Sequence, residues 1–303
     1  MAVVCDLRVG STPGAAPHRS HELVPEQDRC TPGTAIPRTT GGDSIRPHAG
    51  DGETGTAQGA RVHTEAMGQI DTTFDFRSDT PGYPKADPDS DSPTLRRYHQ
   101  LLWCKPLPGG ALFDLDDHTP RAYLHHRSDL GEFWLGSDAV MQTFLRWPEM
   151  HPITGQLSEA ENDEFFALGY TIGGMMVFPG NKIDGKWTIN QARGMNKWTI
   201  ADRMDLTLEC IRRFYEGGAS PLRETIERHA DFFALFDDFR GYIEFFLLQD
   251  LVDDDYANVR FFTPFVDFGS TARPRDVEEY RVFRQSSMEF ILARNLRIAA
   301  LGL

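Results

Sequence analysis

The sequence predicts an α+β domain in which helices predominate, and two observations support this. No aromatic residue precedes Phe74, so all 21 Phe, 8 Tyr and 5 Trp lie in the later part of the chain. Within that part, a region with short apolar stretches and helices comes first, and a region with helical periodicity follows. Because this order is mixed structure first and helices afterwards, we expect short antiparallel strands followed by a mainly helical bundle.

The first 66 residues differ in composition from the rest. They are rich in Gly, Pro and Thr and carry few large apolar side chains. Such a segment cannot offset the backbone entropy lost on folding, about 1–2 kcal/mol per residue. We therefore expect residues 1–66 to be a disordered extension and residues 67–303 to form a single globular α+β domain. Met67 begins the segment MGQIDTTFDFRSD, so an alternative interpretation is that residues 1–66 are a misannotated start.

Charge, hydropathy and cysteine usage restrict the compartment and the partners. The formal net charge is −14 at pH 7, which makes nucleic acid an unexpected partner because its phosphates are also negative. No run of about 20 apolar residues occurs, so no membrane association is expected. Cys104 and Cys210 stand alone in the domain without a CxxC pair, which is typical of proteins in the reducing cytoplasm.

The sequence contains no pattern that predicts a metal site or a cofactor. Within residues 67–303, HExxH, GxGxxG and GxSxG are all missing, and these spacings are what zinc, dinucleotide and acyl-transfer sites use. His125 and His126 are adjacent but have no second histidine or cysteine cluster to complete a metal site. We expect them to be hydrogen-bonded histidines of a strand.

The first half of the domain is predicted to mix helices and strands. Ser92 and Pro93 form the N-cap and first position of a helix that ends near Trp103. Ser137 is predicted to cap a helix that continues through Trp147. Other elements follow from similar signals: an antiparallel meander at 111–115, 122–126 and 132–135, a helix from Ser158 to about Tyr170, and a buried strand within 171–180.

The second half is predicted to be helical. Apolar residues recur along residues 200–215 at helical spacing, and Gly217 ends that helix. Ser220 followed by Pro221 predicts another helix start. The remaining predicted helices cover residues 221–235, 238–252 and about 275–300.

Residues 180–186 fit the phosphate-binding pattern GxxxxGK after an apolar strand. Trp187 occupies the position of the Ser or Thr that would hold Mg²⁺ in such a loop. Asp184 and Gly185 also form the pair typical of a two-residue β-hairpin turn. We therefore interpret this segment as a hairpin and not as a nucleotide-binding loop.

The segment 188–203 is the best candidate for a ligand site. It contains Asn190, Arg193, Asp202 and Arg203 at the predicted junction between the strand region and the helical region, where pockets are common. Guanidinium groups bind carboxylate or phosphate through two parallel hydrogen bonds. We therefore predict a site for a small anionic ligand. Whether the site is enzymatic stays open, and no catalytic residue is assigned. The alternative is that these polar groups are structural.

Two other function classes remain open from the sequence. One is a protein-interaction module without catalysis, which would use an exposed aromatic face; its candidates are Phe232, Phe233, Phe236 and Phe239. The other is a nuclease or phage-defence effector, because Arg121 and His126 show an R-x4-H spacing found in some RNA-cleaving helical domains. Arg223 and His229 show a related spacing.

Several long phrases resemble a family of uncharacterised bacterial proteins. The resemblance covers about residues 70–297 and implies no activity, cofactor or catalytic residue. The phrases that carry it are FDFRSDTP, SPTLRRYH, YTIGGMMVFPGNKIDGKWTINQARG, IADRMDLTLECIRRFY and GYIEFFLLQDLV.

Overall fold

The computed structural model of the protein describes residues 69–116 and 123–303. The predicted extension 1–66 lies outside the described residues. Ten α-helices and three β-strands lie in the described part, which is an α+β fold in which helices dominate, as predicted. In chain order they are α1 (Pro88–Asp91), α2 (Pro93–Trp103), β1 (Leu124–Ser128), β2 (Gly131–Ala139), α3 (His151–Thr154), α4 (Glu159–Gly169), β3 (Met175–Pro179), α5 (Ile189–Met195), α6 (Met204–Tyr215), α7 (Arg223–Arg228), α8 (Ala230–Ala234), α9 (Phe239–Phe246) and α10 (Val277–Ala299).

The three strands form one antiparallel sheet in the order β1-β2-β3. Leu135 of β2 lies opposite Leu124 on one side and Pro179 on the other. The predicted meander is therefore present, but the prediction of a strand at 111–115 is wrong. That segment makes only isolated bridges, at Leu112 and next to it at Asp116. The third strand is the fully buried run of β3, which is distant in sequence.

The predicted helix from Ser137 to Trp147 is wrong, because β2 extends to Ala139 and pairs with β3 there. Residues 140–147 are irregular and cannot form a helix, since Phe144 has a left-handed backbone with φ of 57°. Tyr280 of α10 donates a hydrogen bond from its hydroxyl to the Thr143 carbonyl at 2.6 Å. Tertiary contacts therefore override the local capping signal of Ser137.

Other helix starts follow their local signals. Ser92 accepts a hydrogen bond from the Leu95 amide at 3.1 Å and caps α2. Ser158 and Glu161 form a reciprocal capping box at the start of α4. The predicted C-terminal helix is confirmed as α10.

Three predicted helices have different limits. The helix predicted from residue 200 begins at Met204, because Ala201 and Asp202 have left-handed backbones with φ of 52° and 58°. Ser220 does not cap the next helix, which begins at Arg223. The predicted helix 221–235 is divided into α7 and α8 at His229, and the one predicted at 238–252 ends as α9 where Leu247 turns left-handed.

The turn at Ile183–Lys186 is confirmed, but the predicted hairpin is wrong. The Lys186 amide donates to the Ile183 carbonyl at 3.0 Å, and Asp184 and Gly185 both have positive φ, as a type I′ turn requires. Within the described residues no strand flanks this turn. The following helix begins only at Ile189, so Lys186 does not start a helix as a phosphate-binding lysine would.

The four phenylalanines predicted to form an exposed aromatic face are buried, so that prediction is wrong. Phe232, Phe233 and Phe236 have no exposed surface, and Phe239 is also buried. Phe236 packs against Phe246 with ring centroids 5.1 Å apart. Their burial follows from packing against α9, since these side chains supply the largest apolar areas in this part of the core.

Helix α10 holds the sheet through a buried arginine and its neighbour. The Arg294 guanidinium is fully buried and donates to the carbonyls of Gly173, Met175 and Phe246 at 2.7–3.0 Å. The Asn295 amide oxygen accepts from the Gly173 amide at 2.7 Å. These bonds fix the 3-10 turn Ile172–Gly174 that leads directly into β3. No helix in the described ranges is long and apolar enough to cross a membrane.

We predict that Gly174→Ala destabilises the protein strongly. A Cβ at this buried position would lie 2.1 Å from the Gly169 carbonyl oxygen, and backbone cannot yield as a flexible side chain can. The expected loss in the free energy of unfolding is about 1–3 kcal/mol or more, measured by urea denaturation. Gly109→Ala is the control, because nothing lies within 4 Å of its added Cβ. Equal stability of the two variants would contradict the close packing before β3.

Candidate functional site

The candidate site is a cavity of about 720 Å³. It lies where α1 and the residues before it meet the end of β2, the irregular segment 140–147 and Asp202. Its aromatic walls include Tyr83, Trp147, Phe166 and Tyr170. The ionisable groups that line it are the acids Asp87, Asp89, Asp138 and Asp202 and the bases Lys85 and Arg146.

Asp138 is the acid that β2 contributes, one residue before the strand ends. Its Oδ1 accepts a hydrogen bond from the Ala139 amide at 3.0 Å, and its Oδ2 accepts one from Arg193 Nη1. The side chain is 21% exposed. Burial raises the pKa of Asp138 to about 7, against the opposing effect of Arg193. Its carboxyl group can therefore exchange a proton near neutral pH.

Arg193 lies behind Asp138 and is fully buried. It sits on α5, which begins at a capping box formed by Thr188 and Gln191. Its Nε donates to Thr207 Oγ1 at 2.8 Å and its Nη2 donates to the Asp202 carbonyl at 3.2 Å. Each guanidinium nitrogen thus has a protein acceptor, so the group serves as an anchor between elements.

Asp202 is the acid that the turn before α6 contributes. Its Oδ2 accepts a hydrogen bond from Gln142 Nε2 at 3.3 Å. Its Oδ1 is buried without a hydrogen-bond partner among the described residues and lies 3.7 Å from Arg193 Nη2. Burial raises the pKa of Asp202, and the Arg193 charge opposes that change. One oxygen of this carboxyl group is therefore left for another donor.

Asp89 is the acid that α1 contributes. Asp87 caps this short helix by accepting a hydrogen bond from the Asp89 amide. Asp89 Oδ1 is buried and has no hydrogen-bond partner in the part of the chain that the structure describes. Burial raises the pKa of Asp89 well above its ordinary value, and the charges of Asp138, Asp87 and Asp202 raise it further. Three acids from three separate elements thus influence one another at this cavity.

The structure places the four residues singled out in the sequence differently. Asp202 lines the cavity and Arg193 supports it from behind. Arg203 is buried elsewhere, with hydrogen bonds to both carboxylate oxygens of Asp205 and to the Ala272 carbonyl. Asn190 donates to the Ser137 carbonyl at 3.2 Å, and its Oδ1 is buried without a partner among the described residues. Neither Arg203 nor Asn190 lines the cavity.

Sequence reasoning missed Asp89 and Asp138. Asp89 lies three residues before Ser92, and Asp138 directly follows Ser137; both serines were interpreted as helix caps, and the two acids are far apart in sequence. Alternation along β2 was the one available signal, because it places Asp138 on the opposite face from Ser137. That signal required the strand to be recognised first.

The histidines of β1 are hydrogen-bonded, as predicted. His126 bonds the Asp114 carbonyl at 2.7 Å and Ser128 Oγ at 2.9 Å, and His125 lies 2.9 Å from a Glu132 carboxylate oxygen. No group of three or more residues in the described ranges is arranged to hold a metal ion. Arg121, the partner of His126 in the R-x4-H spacing, lies outside the described residues.

Comparison with known proteins gives one match. The sequence profile of a family of unknown function (DUF6994) matches residues 70–298, and this confirms the resemblance inferred from the sequence phrases. No curated protein and no solved structure matches the chain.

We predict that Arg193→Ala destabilises the protein by about 3–5 kcal/mol, because Asp138 would lose its partner in a buried environment. Chemical denaturation measures the change, and Arg240→Ala is the control, since its side chain is 65% exposed and pairs at the surface. The double variant with Asp138→Asn should be more stable than Arg193→Ala alone, because the stranded charge is then absent. An Arg193→Ala protein as stable as the control would show that this arginine is not an anchor.

Proposed function

The chain belongs to the family of unknown function DUF6994, and we propose that its cavity binds the cationic group of a small organic molecule. Asp89, Asp138 and Asp202 would receive that group. The observation that carries the proposal is that Asp89 and Asp202 line one cavity and that each has one buried carboxylate oxygen, Oδ1, without a hydrogen-bond donor among the described residues.

The charges at the cavity support a cation. A buried carboxylate is costly unless a donor or a positive charge compensates it. Arg193 compensates part of the charge on Asp138 and Asp202, whereas Asp89 has no ion pair within the described residues. An ammonium or guanidinium group offers several N–H donors and a positive charge, which is what the two partnerless oxygens lack.

The size and the walls of the cavity support an organic ligand. Its volume of about 720 Å³ falls within the usual range for small-molecule sites. Aromatic faces such as those of Tyr83 and Tyr170 attract organic cations through their ring electrons. The sequence predicts an anionic ligand bound around Arg193, Asp202 and Arg203. The guanidinium groups of Arg193 and Arg203 donate to protein acceptors, and this supports a cation at the depth of the cavity.

We also propose that residues 67–303 form one domain and that it works in the cytoplasm. The buried core extends from Ile70 to Ile298, which supports a single unit. Cys104 and Cys210 are free thiols, and free thiols are typical of a reducing compartment.

We predict that small guanidinium compounds stabilise the protein against heat. Methylguanidine is the probe, and the controls are acetamide, which is neutral, and acetate, which is anionic. A ligand at about 100 times its Kd adds roughly 2.7 kcal/mol to the free energy of unfolding, which thermal denaturation detects as a higher Tm. Asp202→Asn should abolish the shift, and asparagine tolerates the left-handed backbone at this position.

Asp254→Asn is the matched control, because it removes the same charge from a fully exposed carboxylate outside the cavity. This variant should respond to methylguanidine as the unaltered protein does. The proposal would be wrong if no cation of this class shifts the Tm, or if the Asp202 and Asp254 variants lose the response equally.

We further predict that methylguanidine affinity rises with pH through about pH 7. Burial raises the pKa of Asp138 to about 7, so below that value the carboxyl group is protonated and gives no charge to a cation. The ligand itself stays charged across this range, because guanidinium groups have pKa values above 12. Calorimetric titrations from pH 5.5 to pH 8.5 test this, in about one-unit steps. Asp138→Asn should reduce the pH dependence, and the remainder should come from Asp89 and Asp202, because burial raises the pKa of both of these carboxyl groups as well. An unchanged profile would exclude Asp138 as a source.

A further inference from the structure

The cavity carries positive charge as well as negative charge, and the two are separated. Lys85 and Arg146 line it together with the four acids. Lys85, Arg146 and Asp87 are exposed, whereas the other three acids are partly buried, and Oδ1 of Asp89 and Oδ1 of Asp202 are buried. The two bases therefore lie at the mouth together with Asp87, and Asp89, Asp138 and Asp202 lie deeper in the same cavity.

The bases at the mouth do not neutralise the acids below them. Neither Lys85 nor Arg146 makes an ion pair with any carboxylate in the described ranges. Other exposed arginines do find such partners: Arg240 pairs with Glu244 at 2.8 Å and Arg275 with Glu279 at 3.0 Å. The two mouth residues are thus charged groups left available to a ligand that enters the cavity.

From this arrangement we propose that the ligand is a zwitterion, with a cationic group at one end and a carboxylate at the other. The inference rests on the proposed function, since it adds a second anchoring point to the same site. The cationic end would meet the buried oxygens of Asp89 and Asp202, and the carboxylate would meet Lys85 and Arg146. The aromatic walls formed by Tyr83, Trp147 and Tyr170 would contact the carbon chain between the two ends.

A zwitterion fits both ends, whereas a ligand with one charge fits only one. A simple cation can bind the acids at the depth, but it must pass the positive charges at the mouth. A simple anion is attracted to the mouth but is repelled by three acids below it. Separation of opposite charges within one molecule satisfies both conditions, and it explains why the bases and acids of this cavity are not paired with one another.

The experiment compares matched pairs of ligands by calorimetry on the full chain. Each ω-guanidino acid, from guanidinoacetate to 6-guanidinohexanoate, is measured against the alkylguanidine of equal length that lacks the carboxylate. The chain length of the ligand is varied because the best ligand must span the distance from Asp89 to Arg146. At the best length the zwitterion should bind about fivefold more tightly than its alkylguanidine, the gain expected from one or two exposed ion pairs.

Variants of the two bases at the mouth test whether this gain in affinity comes from them. Arg146→Gln and Lys85→Gln should each reduce the advantage of the zwitterion while the affinity for the alkylguanidine stays the same or rises. Arg260→Gln is the control, because it removes one positive charge from an exposed residue outside the cavity. It should leave the advantage of the zwitterion intact.

The outcomes distinguish the zwitterion inference from the cation site on which it rests. If alkylguanidines bind and no ω-guanidino acid binds more tightly, the zwitterion inference is overturned while the cation site stands. If neither class binds, the cation site itself is wrong. An advantage that persists in both mouth variants would also overturn the inference, because the carboxylate would then be held elsewhere.

Discussion

The contact between Arg193 and Asp138 is the interaction on which the arrangement of the cavity depends. Arg193 stands on α5, and its guanidinium reaches β2 through Asp138, α6 through Thr207 and the preceding turn through the Asp202 carbonyl. Buried ion pairs contribute little net stability, because desolvation of both charges offsets their attraction. Their effect here is positional: a fixed positive charge lets Asp138 and Asp202 lie close together although both are acids. Without it, mutual repulsion would favour their separation.

A second buried arginine, Arg294, supports the start of β3. Arg294 donates to three backbone carbonyls and to the Met176 sulfur, and so it fixes the entry to β3 without adding a carboxylate. The register of β3 then determines where β2 continues, with Asp138 opposite Met176. The position of an acid at the cavity is therefore decided by a helix at the far end of the sequence, α10, through a strand that carries no polar side chain of its own.

The cavity is a place where the fold retains unfavourable interactions. Buried oxygens without donors and neighbouring acids of raised pKa both reduce the stability of the native state. Elsewhere in the described residues acids are commonly paired, as Glu209 is with Arg212 and Arg213. Natural proteins keep such local conflicts mainly at functional sites, where a ligand relieves them, and this is the physical basis for placing the function at this cavity.

The sequence by itself determined the class of fold and the elements whose signals are local. Ser92 and Ser158 cap helices because a cap needs only the three residues that follow it. The tertiary structure alone decided the rest. Residues 137–139 are a strand because β3 pairs with them, and Phe232, Phe233 and Phe236 are buried because α9 packs on them. Half of the candidate site could be predicted from the sequence, because Asp202 and Arg193 lie in one segment. Asp89 and Asp138 come close to them only through folding. Local sequence patterns do not predict which distant carboxylates will line the same cavity, because that depends on strand register and helix packing.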